Sequence, residues 1–406
     1  MKNYTRENVS ELFPYVQHSL RTICRPILEV FNFHSRRLFS PFVVDGLEEL
    51  KELKRDKPDS HFIYISRHLS HMDYIETQLN LGYARIPARI QAGDNLFIGP
   101  FDPFWRKLGA FMAIREGRGF YSKNWMKDMA YSMMPKKVGP YKKEYELYVD
   151  KKVAKLLYES YLEHILSAEE YVKDLLVYPE YKKQPDGSTK YGRSYSGGIL
   201  DFSSYLFLNF RRIISKTDKE FFFVAVNPSY ERVVEDSFMI KVPDLKKKFS
   251  RDLVYLQEYA YMISRPLFPL YRPGAFVLKF GKPYPTDVSS KVKADVVAER
   301  LKKEVGLLQT PFSPQVLFHS MRGEKKVELK NLEDRVFSDL EKLDSVVDTS
   351  HLKEEGKFRS FDSLLDSTLR LFDAPTRRYV KVKSGSLEVV DERIVSQYAN
   401  HIAHLF

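Results

Sequence analysis

The stretch Tyr64–Glu76, YISRHLSHMDYIE, decides how the rest of the chain is interpreted. The overlapping run His61–Ser66 is mostly β-branched and aromatic, as is typical of a buried strand. A helical pattern begins near Ser70, so the sequence predicts that a strand ends and a helix begins between these positions. Backbone N–H groups and the positive end of the helix dipole face outward at such a junction, which favours a binding or catalytic site there.

His68 and Asp73 lie at this predicted junction in the pattern H-x4-D. A carboxylate in the first helical turn can turn back and accept a hydrogen bond from the Nδ1–H of a histidine placed just before the helix. That bond fixes the tautomer whose Nε2 can act as a general base, as in a His-Asp pair without its own serine. The hydroxyl group to be activated then has to come from the substrate.

A structural interpretation of the same residues is also open. Ser70 and Asp73 form the pattern S-x-x-D of a capping box, and His71 can be an ordinary exposed helix residue. The two interpretations are compatible, because one aspartate can cap the helix and still face His68.

Length and charge limit the classes of protein to be considered. The chain has 406 residues, and 65 Lys+Arg against 54 Asp+Glu give a formal net charge of +11. This length suits one large α/β domain with flanking helices. The basic excess suits anionic partners: a phosphorylated small molecule, CoA, acyl-carrier protein or an anionic membrane surface. We expect no nucleic-acid partner, because the sequence contains no nucleic-acid-binding motif.

The cysteine count and the hydropathy pattern bear on location. Cys24 is the single cysteine, which excludes an internal disulfide and fits a reducing compartment. No uncharged run reaches the ~20 apolar residues of a transmembrane helix, and the N-terminus does not have the layout of a signal peptide. We therefore expect a soluble or peripheral protein.

The segment HLSHMDYIE, His68–Glu76, resembles the first motif, H-x-S-H-x-D-Y, of the glycerol-3-phosphate and dihydroxyacetone-phosphate acyltransferase family. This family belongs to the H-x4-D lysophospholipid acyltransferase superfamily. Versions of its other motifs follow in the same order, so the resemblance spans Asp45–Pro285. It implies that His68 and Asp73 are the catalytic residues of an acyl transfer.

The segment Gly109–Arg115 resembles the second motif of that family, G-x-F-F-I-R. The resemblance implies that Arg115 binds the phosphate of the acceptor, a role that the planar guanidinium suits. The alternative is a surface arginine at a strand end. The second arginine of the motif is Glu116 here, and Arg118 or Lys123 can substitute for it.

The third motif, E-G-x-R-S-R-S-G, is divided in this chain. Glu180 ends a predicted buried strand, and YGRSYSGG follows only at Tyr191–Gly198. The segment Tyr181–Lys190 lies between them, and its Pro-Asp-Gly sequence predicts a hairpin turn. The resemblance implies that Glu180 belongs to the substrate site.

The second half of this motif supplies further predicted substrate-binding residues: Gly192, Arg193 and Ser194. Here the glycines would permit a nest of backbone N–H groups, with Arg193 holding a phosphate. The alternative is a flexible loop. Tyr195 replaces an arginine of the family motif, and Gly198 replaces a lysine.

Two later segments complete the resemblance. Lys219–Glu231, KEFFFVAVNPSYE, predicts a buried strand and resembles the fourth motif, P-V-x-I-x-Y-E, with Ala225 in place of its proline. Phe276–Phe280 resembles the last strand of the family's catalytic domain.

The sequence thus predicts an α/β fold with a mixed, mostly parallel sheet covered by helices. We predict an N-terminal helical region at 1–44, an acyltransferase domain at 45–290 and a C-terminal helical region at 291–406. The N-terminal region is interpreted as a lid on the domain or as a membrane-surface helix with a basic face. Tyr141–Leu175, with apolar residues at helical spacing, predicts a solvated helix pair.

The predicted function is transfer of a fatty acyl group from acyl-CoA or acyl-carrier protein to the hydroxyl of glycerol-3-phosphate in phospholipid synthesis. Arg115 and Arg193 would hold the acceptor phosphate, and no metal or other cofactor is expected. The expected location is peripheral, on the cytoplasmic face of a membrane. Two alternatives stay open: a lysophosphatidic-acid or other lysophospholipid acyltransferase, and a catalytically degenerate lipid-binding protein. The sequence leaves open the acceptor, the acyl chain length, the donor and the oligomeric state.

Overall fold

The computed structural model describes residues 25–93, 105, 109–113, 117–120, 146–149, most of 155–166, 174–185, 189–249, 251–264, 272–286, 292–349, 360–374 and 377–406. Its helices are α1 Arg25–Leu38, α2 Leu47–Asp56, α3 Met72–Tyr83, α4 Ser204–Ile214, α5 Asp236–Met239, α6 Val242–Lys248, α7 Arg251–Ser264, α8 Ala294–Leu307, α9 Ser313–Ser320, α10 Leu329–Asp344, α11 Phe361–Phe372 and α12 Glu392–Ile402. A short 3-10 turn, Ala403–Leu405, follows α12.

The strands alternate with these helices only in part, and several follow one another between α3 and α4. They are β1 Phe42–Asp45, β2 His61–Ser66, β3 Ala88–Gly93, β4 Ala110–Ala113, β5 Gly117–Phe120, β6 Glu146–Val149, β7 Asp174–Val177, β8 Glu180–Lys183, β9 Thr189–Tyr191, β10 Asp201–Phe202, β11 Phe221–Tyr230, β12 Phe276–Phe280, β13 Tyr284–Pro285, β14 Lys326–Glu328, β15 Asp373–Ala374, β16 Arg377–Arg378, β17 Val380–Lys383 and β18 Ser386–Val389.

The centre of the molecule is a mixed sheet with strand order β1-β12-β11-β2-β7-β3-β4, in which β13 also pairs with β11. Strands β11, β2, β7, β3 and β4 are parallel to one another, whereas β12 and β1 run in the opposite direction. Both β2 and β11 are buried along their whole length, which explains their nearly continuous apolar sequences. The predicted α/β fold with a mostly parallel sheet is confirmed.

The parallel strands end at the same edge of this sheet. Strands β2 and β7 align Ile65 with Val177, and β2 and β11 align Ser66 with Val226. The residues that follow β2 and β7 are therefore neighbours of the last residues of β11, although the three segments are far apart in sequence. Ligands of open α/β sheets bind at this carboxyl edge.

Two large hydrophobic clusters hold the described residues together. The first contains the central sheet with side chains of α3, α4 and α8. The second contains side chains of α9 to α12 and of a three-stranded antiparallel sheet, β14-β18-β17, which the helical pattern of the C-terminal region does not indicate. Helix α8, which follows the predicted boundary between 290 and 291, packs in the first cluster. The three predicted domain ranges stay predictions.

A predicted helical stretch also differs from the structure. The stretch Tyr141–Leu175 contains a strand, β6, where we predicted helix, and β6 pairs antiparallel with β5. In the four residues ELYV of β6, the apolar Leu147 and Val149 alternate with polar or aromatic positions, which suits a strand once a partner is present. Helical residues do occur between 155 and 166. The predicted hairpin between Glu180 and Tyr191 is confirmed by the pairing of β8 with β9.

Candidate active site

The junction between β2 and α3 is organised around one carboxylate. Oδ2 of Asp73 accepts hydrogen bonds from the backbone N–H groups of Leu69, at 2.5 Å, and Ser70, at 2.8 Å. The same oxygen lies 3.1 Å from Nδ1 of His68. Ser70 Oγ accepts from the N–H of Met72 at 3.0 Å, which completes a reciprocal cap. Asp73 therefore caps the helix and contacts the histidine, as both interpretations of the motif predict, but His71 is buried and not exposed.

The contact with Asp73 assigns the Nδ1–H tautomer to His68 and leaves Nε2 able to accept a proton. The rings of Tyr178 and Tyr74 pack on the imidazole, with centroids 5.0 and 5.7 Å from its own. The side chain is 16% exposed, so one part of it can be reached by a substrate. Burial lowers the pKa of His68, and Asp73 opposes that shift. The imidazole is therefore neutral at pH 7 and in the form that a general base needs.

Tyr230 at the end of β11 supports the other oxygen of this carboxylate. Its hydroxyl donates a hydrogen bond of 2.7 Å to Oδ1 of Asp73. Burial, and then Asp73, raise the pKa of Tyr230, so the phenol stays protonated and keeps donating. The neighbouring Glu231 accepts from the N–H of Ala275 at 2.8 Å and from Ser367 Oγ at 3.1 Å. These bonds connect the end of β11 to the start of β12 and to α11.

Glu180 lies beneath the same junction, at the start of β8. Its Oε2 accepts from the N–H of His68 at 2.5 Å, and its Oε1 accepts from the N–H of Leu200 at 3.1 Å. The residue is fully buried, and burial raises its pKa to about 7 although the nearby Arg67 opposes the shift. Glu180 is thus placed to hold the backbone of the histidine.

The glycine-containing loop after β9 is attached to this junction by backbone hydrogen bonds. The N–H of Gly192 donates to the carbonyl of Glu180 at 3.1 Å, and the N–H of Ser194 donates to the carbonyl of His68 at 3.2 Å. Gly192 has a φ of 127°, a conformation that glycine adopts without strain. Ser194 Oγ lies 3.3 Å from Ser196 Oγ.

Arg193, in the same loop, is surrounded by carboxylates. Its two terminal nitrogens donate to Glu235, at 2.9 Å, and to Glu258. Only 8% of the residue is exposed. Burial alone would lower the pKa of Arg193, but Glu258 and its other neighbours hold it well above the ordinary value. The guanidinium is charged, and each of its terminal nitrogens donates to one of these two carboxylates.

The structure therefore brings six of the seven predicted site residues to one edge of the sheet: His68, Asp73, Glu180, Gly192, Arg193 and Ser194. The seventh, Arg115, lies outside the described residues, as do Glu116 and Lys123. Within the described ranges, no group of three or more His, Cys, Asp or Glu side chains is arranged to hold a metal ion. The substrate-binding roles assigned from the resemblance stay predictions.

Sequence reasoning did not identify several residues of this site. Glu235 and Glu258 carry no local signal, because neither belongs to a recognised motif and the fold alone brings them to Arg193. Arg67 lies next to the predicted base and is fully buried, but the motif pattern predicts no role for it. It donates to Gln309 Oε1 at 2.7 Å and to the carbonyl of Gly197 at 2.6 Å, and burial lowers its pKa to about 10. Its place directly before the histidine was the only available signal.

The fold and the site define an α/β protein with a His-Asp pair at the carboxyl ends of parallel strands. No family model matches the chain. The chain is similar to curated proteins named glycerol-3-phosphate acyltransferase. It is 36% identical to that of Shewanella woodyi and 34% identical to that of Shewanella loihica, each over 84 residues, which are 20% of this chain and 10% of the relative. The match thus spans about a tenth of the length of these relatives.

Proposed function

We propose that the protein is an acyltransferase of phospholipid synthesis that moves a fatty acyl group from a thioester to the hydroxyl of glycerol-3-phosphate. The observation that carries this proposal is the 3.1 Å contact between His68 Nδ1 and Asp73 Oδ2, which orients a partly exposed imidazole. The partial similarity to proteins named glycerol-3-phosphate acyltransferase supports the same class of reaction. Acyl-CoA or acyl-carrier protein is the proposed donor.

In the proposed reaction, Nε2 of His68 removes the proton from the acceptor hydroxyl as its oxygen attacks the carbonyl carbon of the thioester. The new C–O bond gives a tetrahedral intermediate, which collapses when the C–S bond breaks. The imidazolium then returns its proton to the departing thiolate. Asp73 stabilises the imidazolium and keeps the ring in the tautomer that can accept the proton. Because His68 is the base only when neutral, the rate should fall as the pH is lowered through its pKa, which lies below 6.5.

The acceptor phosphate needs a cation near His68, and we propose Arg115 for this role. Strand β4, two residues before it, runs parallel to β3 and ends at the carboxyl edge of the sheet. That direction supports the proposal, because β4, which precedes Arg115 in the sequence, ends at the same edge of the sheet as β2. Backbone N–H groups of the loop Gly192–Gly198 are proposed to contribute to positioning the acceptor.

A lysophosphatidic-acid or other lysophospholipid acyltransferase would use the same His-Asp pair. Glu116 and Tyr195, which replace arginines of the resembled motifs, favour keeping this second candidate. Both candidates release a lipid, so we propose that the protein works peripherally at the cytoplasmic face of a membrane. Among the helices in the described ranges, none is long and apolar enough to cross a membrane.

The test is release of free thiol from acyl-CoA, or from acyl-carrier protein, in the presence of glycerol-3-phosphate, dihydroxyacetone phosphate or lysophosphatidic acid. We expect turnover with glycerol-3-phosphate and a loss of roughly 10²–10⁴-fold in the variants His68→Ala and Asp73→Asn. The melting temperature of His68→Ala should stay close to wild type, whereas that of Asp73→Asn should fall, because the amide replaces one oxygen that accepts hydrogen bonds by a donor. His319→Ala, a histidine that stacks on Phe406 in the C-terminal region, is the matched control and should keep full turnover. Wild-type turnover by a folded His68→Ala protein would reject the proposed base.

A further inference from the structure

A buried group of four ionisable side chains lies beside the junction between β2 and α3. It consists of His71, Arg193, Glu235 and Glu258, here called the Arg193 cluster. Arg193 bridges the two glutamates, and Nε2 of His71 lies 3.3 Å from Oε2 of Glu258. Arg193 is 8% exposed and the other three are less exposed. The cluster joins the loop after β9, the segment before α5, helix α7 and the start of α3.

The buried charge of Glu258 is compensated only if Arg193 stays within this cluster. Burial alone would raise the pKa of Glu258, but Arg193 and His71 lower it to about 2, so this carboxylate is charged. Burial lowers the pKa of His71 to about 4, so the imidazole is neutral and cannot replace the cation. If the guanidinium moved to a substrate phosphate, Glu258 would be left as a buried anion without its cation, which is strongly unfavourable.

The cluster is connected to the proposed catalytic pair by two short chains of hydrogen bonds. Along the first, the carboxylate of Glu235 accepts from Ser70 Oγ at 2.8 Å and from the N–H of His71 at 2.6 Å, and the N–H of Ser70 in turn binds Asp73. The second is the bond from the N–H of Ser194, next to Arg193, to the carbonyl of His68. The backbone on both sides of the His-Asp contact is therefore held by groups that Arg193 anchors.

We propose that Arg193 and Glu258 are positioning residues that hold the His68–Asp73 pair through Glu235 and Ser70. This inference rests on the proposed function for its kinetic part. It gives Arg193 a role that the sequence resemblance does not imply. The physical reason is that each terminal nitrogen of the guanidinium already donates to a buried carboxylate.

The two roles predict different kinetics for the variants Arg193→Lys and Glu258→Gln. A positioning role predicts that kcat falls by up to about 100-fold in each, because small misplacements of a reacting group are costly, while the acceptor KM changes by less than about twofold. Lysine keeps the charge but offers a single ammonium group in place of the fork. The double variant should lose no more than the worse single variant, because the two residues act as a unit.

A second measurement does not depend on activity. The nitrogen chemical shifts of His68 in histidine-labelled protein report which ring nitrogen carries the proton. We expect one tautomer, Nδ1–H, in the wild-type protein and a mixture in both variants. Arg322→Met is the matched control, because Arg322 also pairs with a buried carboxylate, Asp339 at 2.7 Å, but in the second hydrophobic cluster. It should keep the single tautomer and the wild-type kcat.

Two results would overturn the inference. One is a raised acceptor KM with preserved kcat in Arg193→Lys, which would make Arg193 a phosphate ligand. The other is wild-type kcat and a single His68 tautomer in Glu258→Gln. If the wild-type protein transfers acyl groups to none of the acceptors, the proposed function fails. The tautomer measurement then still decides whether the Arg193 cluster orients His68.

Discussion

Asp73 is the residue on which the hydrogen bonds of the site converge. Its Oδ2 accepts hydrogen bonds from two backbone N–H groups and contacts Nδ1 of His68. Its Oδ1 accepts a hydrogen bond from the hydroxyl of Tyr230. A carboxylate held on both oxygens cannot rotate, so its direction toward the imidazole is fixed before any substrate arrives. Such preorganisation is what a general base requires from its partner.

Tyr230→Phe isolates one of these bonds. Removing the hydroxyl leaves Oδ1 of a buried aspartate without this donor, which should lower the free energy of unfolding by about 1–3 kcal/mol. Because Asp73 can then rotate, we expect a lower kcat with little change in the acceptor KM. Chemical denaturation and steady-state kinetics on the same preparation measure both effects.

A matched control for this substitution is Tyr398→Phe. Tyr398 is equally buried, accepts from the N–H of Val233 at 2.7 Å and donates to Asp236 at 3.1 Å. It should lose stability to a similar extent and keep wild-type kcat. Equal loss of kcat in the two variants would mean that Tyr230 acts only through general stability.

At the scale of elements, α3 is unusual because its residues from Met72 to Leu81 are all buried. A helix on the surface keeps one polar face in water, whereas here the polar side chains must find partners inside the protein. Glu76, one turn after Asp73, accepts a hydrogen bond from Ser35 Oγ of α1. Burial raises the pKa of Glu76 to about 8, against the hydrogen bond from Ser35 and the charge of Arg36.

This raised pKa predicts how stability changes with pH. Between the ordinary value of 4.5 and about 8, the folded state binds more protons than the unfolded state at Glu76, so its contribution to stability falls as the pH rises through that window. Each unit of difference corresponds to about 1.4 kcal/mol. We therefore expect Glu76→Gln to be more stable than the wild type near pH 8, with a smaller difference near pH 5.

Thermal denaturation of both proteins at the two pH values measures this effect. Titrations of all other groups are common to the two proteins and cancel in the difference. Ser35→Ala in the same comparison should raise the pKa of Glu76 further, since it removes a donor to the charged form. A wild type that is more stable than Glu76→Gln at pH 8 would contradict the prediction.

At the scale of the whole molecule, the net charge of +11 suggests attraction to anionic surfaces. The last turns of α1 carry Arg36 and Arg37, both exposed, near Phe33, which is 63% exposed. Helix α6 ends in Lys246–Lys248. Residues 1–24 of the N-terminal region, which the sequence analysis interprets as a lid or a membrane-surface helix, lie outside the described residues.

We expect the protein to bind anionic vesicles but not neutral ones, and to be released by high salt. Each basic side chain near an anionic bilayer contributes about 1 kcal/mol within a Debye length of its surface. The double variant Arg36→Glu/Arg37→Glu should weaken pelleting with anionic vesicles. Lys330→Glu/Lys342→Glu, with the same change of net charge on α10, is the control and should pellet like the wild type. Equal pelleting with neutral and anionic vesicles would reject the electrostatic anchor.

The sequence by itself determined the parts of this protein that depend on neighbours in the chain. The apolar composition located β2 and β11, and the family resemblance indicated β12. The pattern H-x4-D predicted the contact between His68 and Asp73. Such a contact is local: a strand end followed by one helical turn brings the carboxylate back to the histidine with few alternatives. The α/β class followed in the same way, from apolar strands that alternate with helical segments.

Only the tertiary structure decided the partners that come from distant parts of the chain. Tyr230 is 157 positions from Asp73, and Glu180 is 112 positions from His68. Arg193 lies among glycines and serines, so the local sequence suggests an exposed arginine that can bind an anion. The fold instead brings Glu235 and Glu258 to it, from 42 and 65 positions away. The short strand β6 likewise needed β5 as a partner. The physical reason is that burial and charge pairing depend on which segments become neighbours, and no local pattern encodes that.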